Sequence, residues 1–196
     1  VALNLLILGP QGAGKGTQAK KISAEYGLPH ISTGEILRDN IARETELGKR
    51  VAPIVDAGAL VPDDLMIELI RDRLSRGDTT AGFVLDGFPR TMAQAEALDA
   101  MLEEIRRGID AVLVLDVDED QAVDRLLKRA AEEGRADDTP EAIRNRLANY
   151  YENTAPLVEW YRARDKVMPI DGEGTMDDVF GQIRRALEHL GSRAVR

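Results

Sequence analysis

The feature that most constrains this chain is Gly9-Pro10-Gln11-Gly12-Ala13-Gly14-Lys15-Gly16-Thr17, which directly follows the apolar run NLLIL at 4–8. A short uninterrupted apolar run suits a strand buried on both faces, as in a parallel sheet. Gly9, Gly14 and Lys15 have the G-x-x-x-x-G-K spacing of a phosphate-binding loop. Glycines let such a loop wrap closely, so that backbone N–H groups converge on phosphate oxygens. Ala19, Ile22 and Tyr26 continue at helical spacing, and Gly27 with Pro29 stops the helix. That helix would turn its positive dipole end toward the same phosphates. The competing reading is an ordinary glycine-rich turn, which the strand before and the helix after disfavour. Gly16 stands where the general motif has Ser or Thr, and the hydroxyl comes one residue later at Thr17.

The rest of the chain alternates in the same way. Ser32 and Glu35 have capping-box spacing ahead of Ile36, Leu37 and Ile41. A helical pattern runs from Leu47 to Gly58 with Pro53 inside it. A proline there conflicts with a regular helix by about 3 kcal/mol, so a kink or break is expected. Pro62 opens the next helix. GFVLD at 82–86 is a strand ending in a carboxylate, and Thr91 with Gln94 opens a helix. AVLVL at 111–115 is the clearest strand, and Asp118 caps the helix after it. The polar stretch 131–138 reads as a surface loop. Thr139-Pro140 starts a helical stretch bent or broken near Pro156. A last weak strand covers 167–170, and Thr175 caps the terminal helix. Strands alternating with helices predict an α/β fold with a mainly parallel sheet.

Composition narrows the function classes. The 196 residues suit one domain and contain no cysteine, which excludes thiol catalysis, a cysteine zinc site and a disulfide framework. The net charge of −9 argues against nonspecific binding to nucleic acid or an anionic membrane, while leaving room for a local basic pocket. No apolar run reaches the ~18 residues of a membrane span, and residues 1–10 carry no basic n-region, so a cytoplasmic setting is expected.

The loop GPQGAGKGTQ resembles that of adenylate kinases and their nucleoside monophosphate kinase relatives. The segments ISTGEIL (31–37), DAGALV (56–61), LDGFPRT (85–91), GRADD (134–138) and EGT (173–175) resemble the family's further motifs in the family's order. The resemblance implies a P-loop NTPase-type three-layer fold with a five-stranded parallel sheet. It divides the chain into a core (1–31, 62–127, 139–196), a mobile AMP-binding arm (32–61) and a short lid (128–138) that lacks the length and cysteines of a zinc-bearing lid. It also implies reversible conversion of ATP and AMP into two ADP. A monomer is the default expectation, since nothing in the sequence suggests an oligomer seam.

Site residues follow from that resemblance. Gly12, Ala13, Gly14, Lys15, Gly16 and Thr17 would hold the ATP phosphates, with Lys15 reaching the β and γ phosphates. Gly174 would lie at the adenine of ATP. Asp86 would orient Mg²⁺ through water, with Thr17 near the ion; zinc is not implied. Thr33, Arg38, Leu60, Val61, Gly87, Arg90 and Gln94 would form the AMP site, where Arg38 and Arg90 clamp the phosphate in a planar fork. Arg125, Arg129, Arg135 and Arg146 would surround the transferring group and the nucleotides. Lys15, Arg90, Arg125, Arg135 and Arg146 are thus the expected catalytic set. Asp137 and Asp138 match acids at the lid hinge.

Each residue has a plainer reading beside the functional one. The arginines could be salt-bridged surface residues, and Asp86 a cap. Gln94 could simply complete a capping box with Thr91. His30 and His189, the two histidines, read as a structural and a solvated residue. Phosphoryl transfer needs charge neutralisation and positioning more than a nucleophile, and the chain offers no convincing Ser-His-Asp or metal-ligand set. Two rival functions remain at this level. A UMP/CMP kinase would tend to have Ala in place of Thr33 and Asn in place of Gln94. An ATP-binding switch would have no need of Arg38, Arg90 and Gln94 together.

Overall fold

The computed structural model describes residues 2–134 and 138–193, with side chains through 191. Five parallel strands form one sheet: β1 (Leu3–Leu8), β2 (His30–Ser32), β3 (Gly82–Asp86), β4 (Ala111–Asp116) and β5 (Val167–Asp171). Their order is β2-β3-β1-β4-β5. β1 is therefore central, with Leu5 opposite Val84 on one side and opposite Ala111 on the other. All five strands run the same way, so the loops after them open at one edge, where α/β sheets bind ligands.

The helices α1 (Lys15–Tyr26), α2 (Thr33–Ala42), α3 (Glu46–Asp56), α4 (Asp63–Leu74), α5 (Met92–Glu104), α6 (Glu119–Glu133), α7 (Pro140–Asn149), α8 (Ala155–Arg162) and α9 (Met176–Arg193) begin largely where caps are legible. Ser32 accepts from the Glu35 N–H, Thr91 from Gln94, Asp118 from Asp120 and Thr139 from Ala142. At α9 the exchange is reciprocal: Thr175 Oγ1 accepts from the Asp178 N–H, and Asp178 Oδ2 accepts from the Thr175 N–H.

Two expectations about proline come out differently. α3 runs unbroken through Pro53 to Asp56. The proline removes the hydrogen bond to the Lys49 carbonyl, and it does so at an exposed position of the helix. The bend before Pro156 is present: a π-helical turn, Tyr150–Thr154, separates α7 from α8.

The sheet is covered on both faces. Leu6 and Leu8 of β1 join Ile70 of α4, Leu98 and Leu102 of α5 and Tyr161 of α8. Leu5 and Ile7 point the other way and join Ala19 and Ile22 of α1 with Ile183 and Leu187 of α9. The uninterrupted apolar run is thus explained by two apolar layers meeting on one strand. A small third cluster joins Leu126 of α6 to Ile143 and Leu147 of α7. No helix among the described residues is long and apolar enough to cross a membrane. Leu6 is fully buried on the central strand. Leu6→Ala should lower stability by about 3 kcal/mol and Tm by about 10 °C, measured by urea and thermal unfolding. A loss below about 1 kcal/mol would contradict the central place given to β1.

Candidate functional site

The loop between β1 and α1 turns on glycines because its neighbours leave no space. Gly12 has φ +85°, and a Cβ there would stand 2.3 Å from the Ala122 carbonyl oxygen of α6. Pressed against α6, the loop closes around Lys15. Its Nζ donates to the carbonyls of Gly9 (2.8 Å) and Pro10 (3.0 Å). The expected phosphate-binding lysine is thus held by its own loop, at the mouth of α1. Burial pulls its amine down to about 8, against the opposing attraction of Asp86.

Asp86 stands at the end of β3, where a Cβ on Gly16 would lie 3.7 Å from its Oδ2. The candidate carboxylate is therefore beside the phosphate loop and only 8% exposed. Burial pushes its carboxyl up. The His30 hydrogen bond, Lys15 and Arg90 outweigh that and hold it below the usual carboxylate range. The partner is His30 Nε2 at 3.3 Å, so His30 is built into the site. His189 is exposed on α9.

Around this pair lies a cleft of about 580 Å³, lined by the loop from Gly12 to Thr17 and by Asp86, Arg90, Arg125, Arg129 and Gly174. Arg125 crosses it, donating to the carbonyls of Gly12 (3.5 Å) and Gly172 (3.0 Å) and to Gln121 (3.1 Å). A second cavity carries the rest of the expected set: Thr33, Arg38, Leu60, Val61, Gly87, Gln94 and Arg146. Arg38, Gly87, Arg90 and Arg129 line both, so the two cavities adjoin across these residues. Gly87 is hemmed in there: at φ +86°, a Cβ would meet Thr33 Oγ1 at 2.5 Å.

Arg90 sits at the junction with its backbone and side chain both anchored. Its Nε donates to the Gly87 carbonyl at 2.8 Å. Burial lowers its guanidinium below the ordinary value, with Asp86 opposing. Gln94 departs from the plain capping box: its amide oxygen accepts from the Arg90 N–H (2.8 Å), one residue before Thr91. Its amide nitrogen donates to Asp63 Oδ1 (2.8 Å), which also accepts from Thr91 Oγ1 (2.9 Å). Gln94 is 2% exposed, so both ends of its amide are used in shaping the cavity wall.

Arg129 and Arg146 are brought together by Asp138, whose side chain is fully buried. Arg129 Nε donates to Asp138 Oδ2 at 2.8 Å, and Arg146 Nη1 donates to Oδ1 at 2.5 Å. Arg146 Nη2 also donates to the Val55 carbonyl at the end of α3 (3.2 Å). Plain surface ion pairs are excluded for these two arginines, whose side chains are 26% and 11% exposed. Arg135 and Asp137 lie outside the described residues.

Two participants escape sequence reasoning: His30 touches Asp86 across 56 residues, and Thr154 Oγ1 donates to the Arg90 carbonyl (2.8 Å) across 64. No spacing rule joins positions so far apart. Only the strand order brings the start of β2 beside the end of β3, and only the packing of the turn before α8 sets Thr154 on Arg90. Asp138, which matches an acid at the lid hinge, has the bridging of two arginines as its place in the structure.

The chain matches the adenylate kinase family model over residues 7–166. It is similar to the adenylate kinase of Clavibacter michiganensis, at 51% identity over 189 residues covering 96% of this chain and 94% of that one. Identity to the adenylate kinase of Kocuria rhizophila is 53% over 184 residues, covering 94% and 98%. For that of Thermus thermophilus it is 50% over 183 residues, covering 93% and 96%.

The lowered Lys15 amine carries a pH signature. Near pH 8.5 more than half of it is neutral, whereas a bound triphosphate favours the ammonium form. Phosphates with a second pKa near 6 are already ionised there, so ATP binding should take up a substantial fraction of a proton from buffer. ATP affinity should fall as pH rises from 8 to 9.5. Calorimetry in two buffers of different ionisation enthalpy measures the uptake, which Lys15→Met should abolish. Equal uptake in the variant would remove Lys15 from phosphate binding.

Proposed function

The chain belongs to the adenylate kinase family, whose chemistry is phosphoryl transfer between adenine nucleotides, and from that premise we propose that it catalyses Mg·ATP + AMP ⇌ 2 ADP by direct in-line transfer without a phosphoenzyme. The observation that carries this reading is that two cavities adjoin at Arg90, one built on the phosphate loop and the other on Thr33, Arg38 and Gln94. A donor and an acceptor nucleotide can enter from opposite ends and meet at the arginines.

ATP binds with its phosphates along Gly12 to Thr17, under the positive end of α1. Lys15 and Arg125 contact the triphosphate, and Gly174 borders the adenine end. AMP lies in the second cavity, its phosphate between Arg38 and Arg90. An AMP phosphate oxygen attacks the γ-phosphorus, and the bond to the β–γ bridging oxygen breaks. That electron pair leaves on ADP, so no proton need be transferred. Arg90, Arg129, Arg146 and Arg135 neutralise the spreading charge, which is the principal demand of this chemistry.

Asp86 and Thr17 fit Mg²⁺, an ion that keeps several waters and is usually held by one or two carboxylates plus substrate phosphates. Asp86 is buried, below its usual carboxyl range and beside the loop, as an outer-sphere ligand should be. Bound there, the ion supplies neutralising charge to the phosphate oxygens. The arm 32–61 and lid 128–138 close over both nucleotides and exclude water, a competing acceptor. As a cytoplasmic monomer the enzyme would balance the adenine nucleotide pool.

The test is ³¹P NMR of the protein with Mg·ATP and AMP, UMP, CMP or no acceptor. ADP should form rapidly with AMP alone, with negligible phosphate release without acceptor. Rapid turnover with UMP or CMP would reassign it as a pyrimidine kinase. Slow release in every tube would make it an ATP-binding switch. Arg90→Ala should lower AMP-dependent ADP formation about 10³-fold or more with little change in Tm. Near-normal activity would remove Arg90 from the reaction.

A further inference from the structure

Arg90 is anchored at more points than its own loop supplies. Gln94 accepts from its N–H, Gly87 accepts from its Nε, and its carbonyl accepts a hydrogen bond from Thr154 Oγ1 at 2.8 Å. The first two partners come from the neighbouring turn. Thr154 comes from a different part of the chain, the last residue of the π-helical turn before α8. It is 6% exposed and lines a small cavity together with Lys15, Arg90 and Arg146.

That turn is itself unusual. π-helical turns are rare and concentrate at functional sites. An α-helix continuing from α7 would advance about 100° per residue and fix the facing of position 154. The wider turn retards that advance, and it ends where Pro156 lacks the N–H to continue the α pattern. The consequence is a buried hydroxyl delivered onto the peptide carbonyl of Arg90.

We propose that Thr154 is a positioning residue for phosphoryl transfer: through the π-helical turn it fixes the backbone of Arg90, and so aims the guanidinium at the transferring group. The proposal rests on the role given to Arg90 above. Thr154 touches no reacting atom. Its hydroxyl is already donated to Arg90, and its effect passes through that carbonyl. Positioning of this kind acts on kcat, because misplacing a group by about 1 Å can reduce rate by about 10²-fold while leaving distant contacts intact.

The experiment is a double-mutant cycle with three substitutions at 154, measuring kcat, the KM of each nucleotide and Tm. Thr154→Val keeps the shape and removes the hydroxyl, Thr154→Ala removes hydroxyl and methyl, and Thr154→Ser keeps the hydroxyl. Val and Ala should each lower kcat about tenfold with the KM for ATP unchanged, and Ser should stay within about twofold of the parent. Should the Val variant not fold, the Ala–Ser comparison isolates the hydroxyl alone. In an Arg90→Ala background, Thr154→Val should have less than a twofold further effect, because the residue it acts through is gone. Unchanged kcat in Val and Ala, equal loss in Ser, or a tenfold loss in both backgrounds would overturn the proposal. Near-normal activity of Arg90→Ala alone would overturn the role of Arg90 and the positioning claim with it. That failure is distinct, because the position-154 comparisons are read with Arg90 intact.

Discussion

Like charges held in one cleft repel, and the architecture answers to that repulsion. Lys15, Arg38, Arg90, Arg125 and Arg129 line the main cleft, and Arg146 joins Arg38, Arg90 and Arg129 in the cavity that adjoins it. Their confinement is unfavourable in a medium of low dielectric, and salt does not screen it as it would on an open surface. The protein holds them chiefly with backbone carbonyls: Gly9 and Pro10 for Lys15, Gly87 for Arg90, Gly12 and Gly172 for Arg125, Val55 for Arg146. Carbonyls can be aimed only if the backbone is rigid. The parallel sheet supplies that rigidity for the loops that leave its strands, whereas the Val55 carbonyl belongs to α3.

Geometry at the sheet edge then follows from close approach. With β1 central, the phosphate loop emerges between the loops after β3 and β4, and α6 is packed so near that only glycine fits at position 12. On the β3 side Gly87 is hemmed in by Thr33, which draws α2 against the same edge. Two glycines thus mark where the backbone is packed most tightly around the adjoining cavities.

Local order was legible in the sequence, and cross-chain order was not. The phosphate loop announces itself because its chemistry is contiguous: a buried strand, glycines, a lysine and a helix in fixed succession. The caps at Ser32, Thr91, Asp118, Thr139 and Thr175 were legible for the same reason, since a cap and the N–H that donates to it lie two or three residues apart. Gln94 shows the limit. Its spacing from Thr91 fits a reciprocal cap, but burial placed Asp63 beside its amide, and the oxygen turned to Arg90 instead. Pro53 shows another: propensity anticipates a kink or break in a regular helix, while α3 runs through it at an exposed position. Thr154 gave no signal, and Asp138, which matches a lid-hinge acid, gave no sign of its two arginine partners, because these are set by how α6, α7 and the turn after α7 pack.

The choice of carbonyls over carboxylates has an electrostatic consequence. A carboxylate that pairs with a cation cancels its charge toward a ligand, whereas a carbonyl orients the cation and leaves its net charge in place. Two of the exposed acids at the cleft rim, Glu35 and Glu132, are paired with exposed lysines, Lys20 and Lys128. Among the described residues, the buried carboxylates within the site are Asp86 and Asp138. Asp138 serves two arginines at once, so Arg129, Asp138 and Arg146 together keep one net positive charge. Asp86 is shared between His30 and the field of Lys15 and Arg90. A chain of net charge −9 thereby carries a strongly positive interior cleft, with its donors oriented before a polyphosphate arrives. Preorganised charge of this kind needs no rearrangement at the moment of transfer, which is the condition under which electrostatics contributes most to rate.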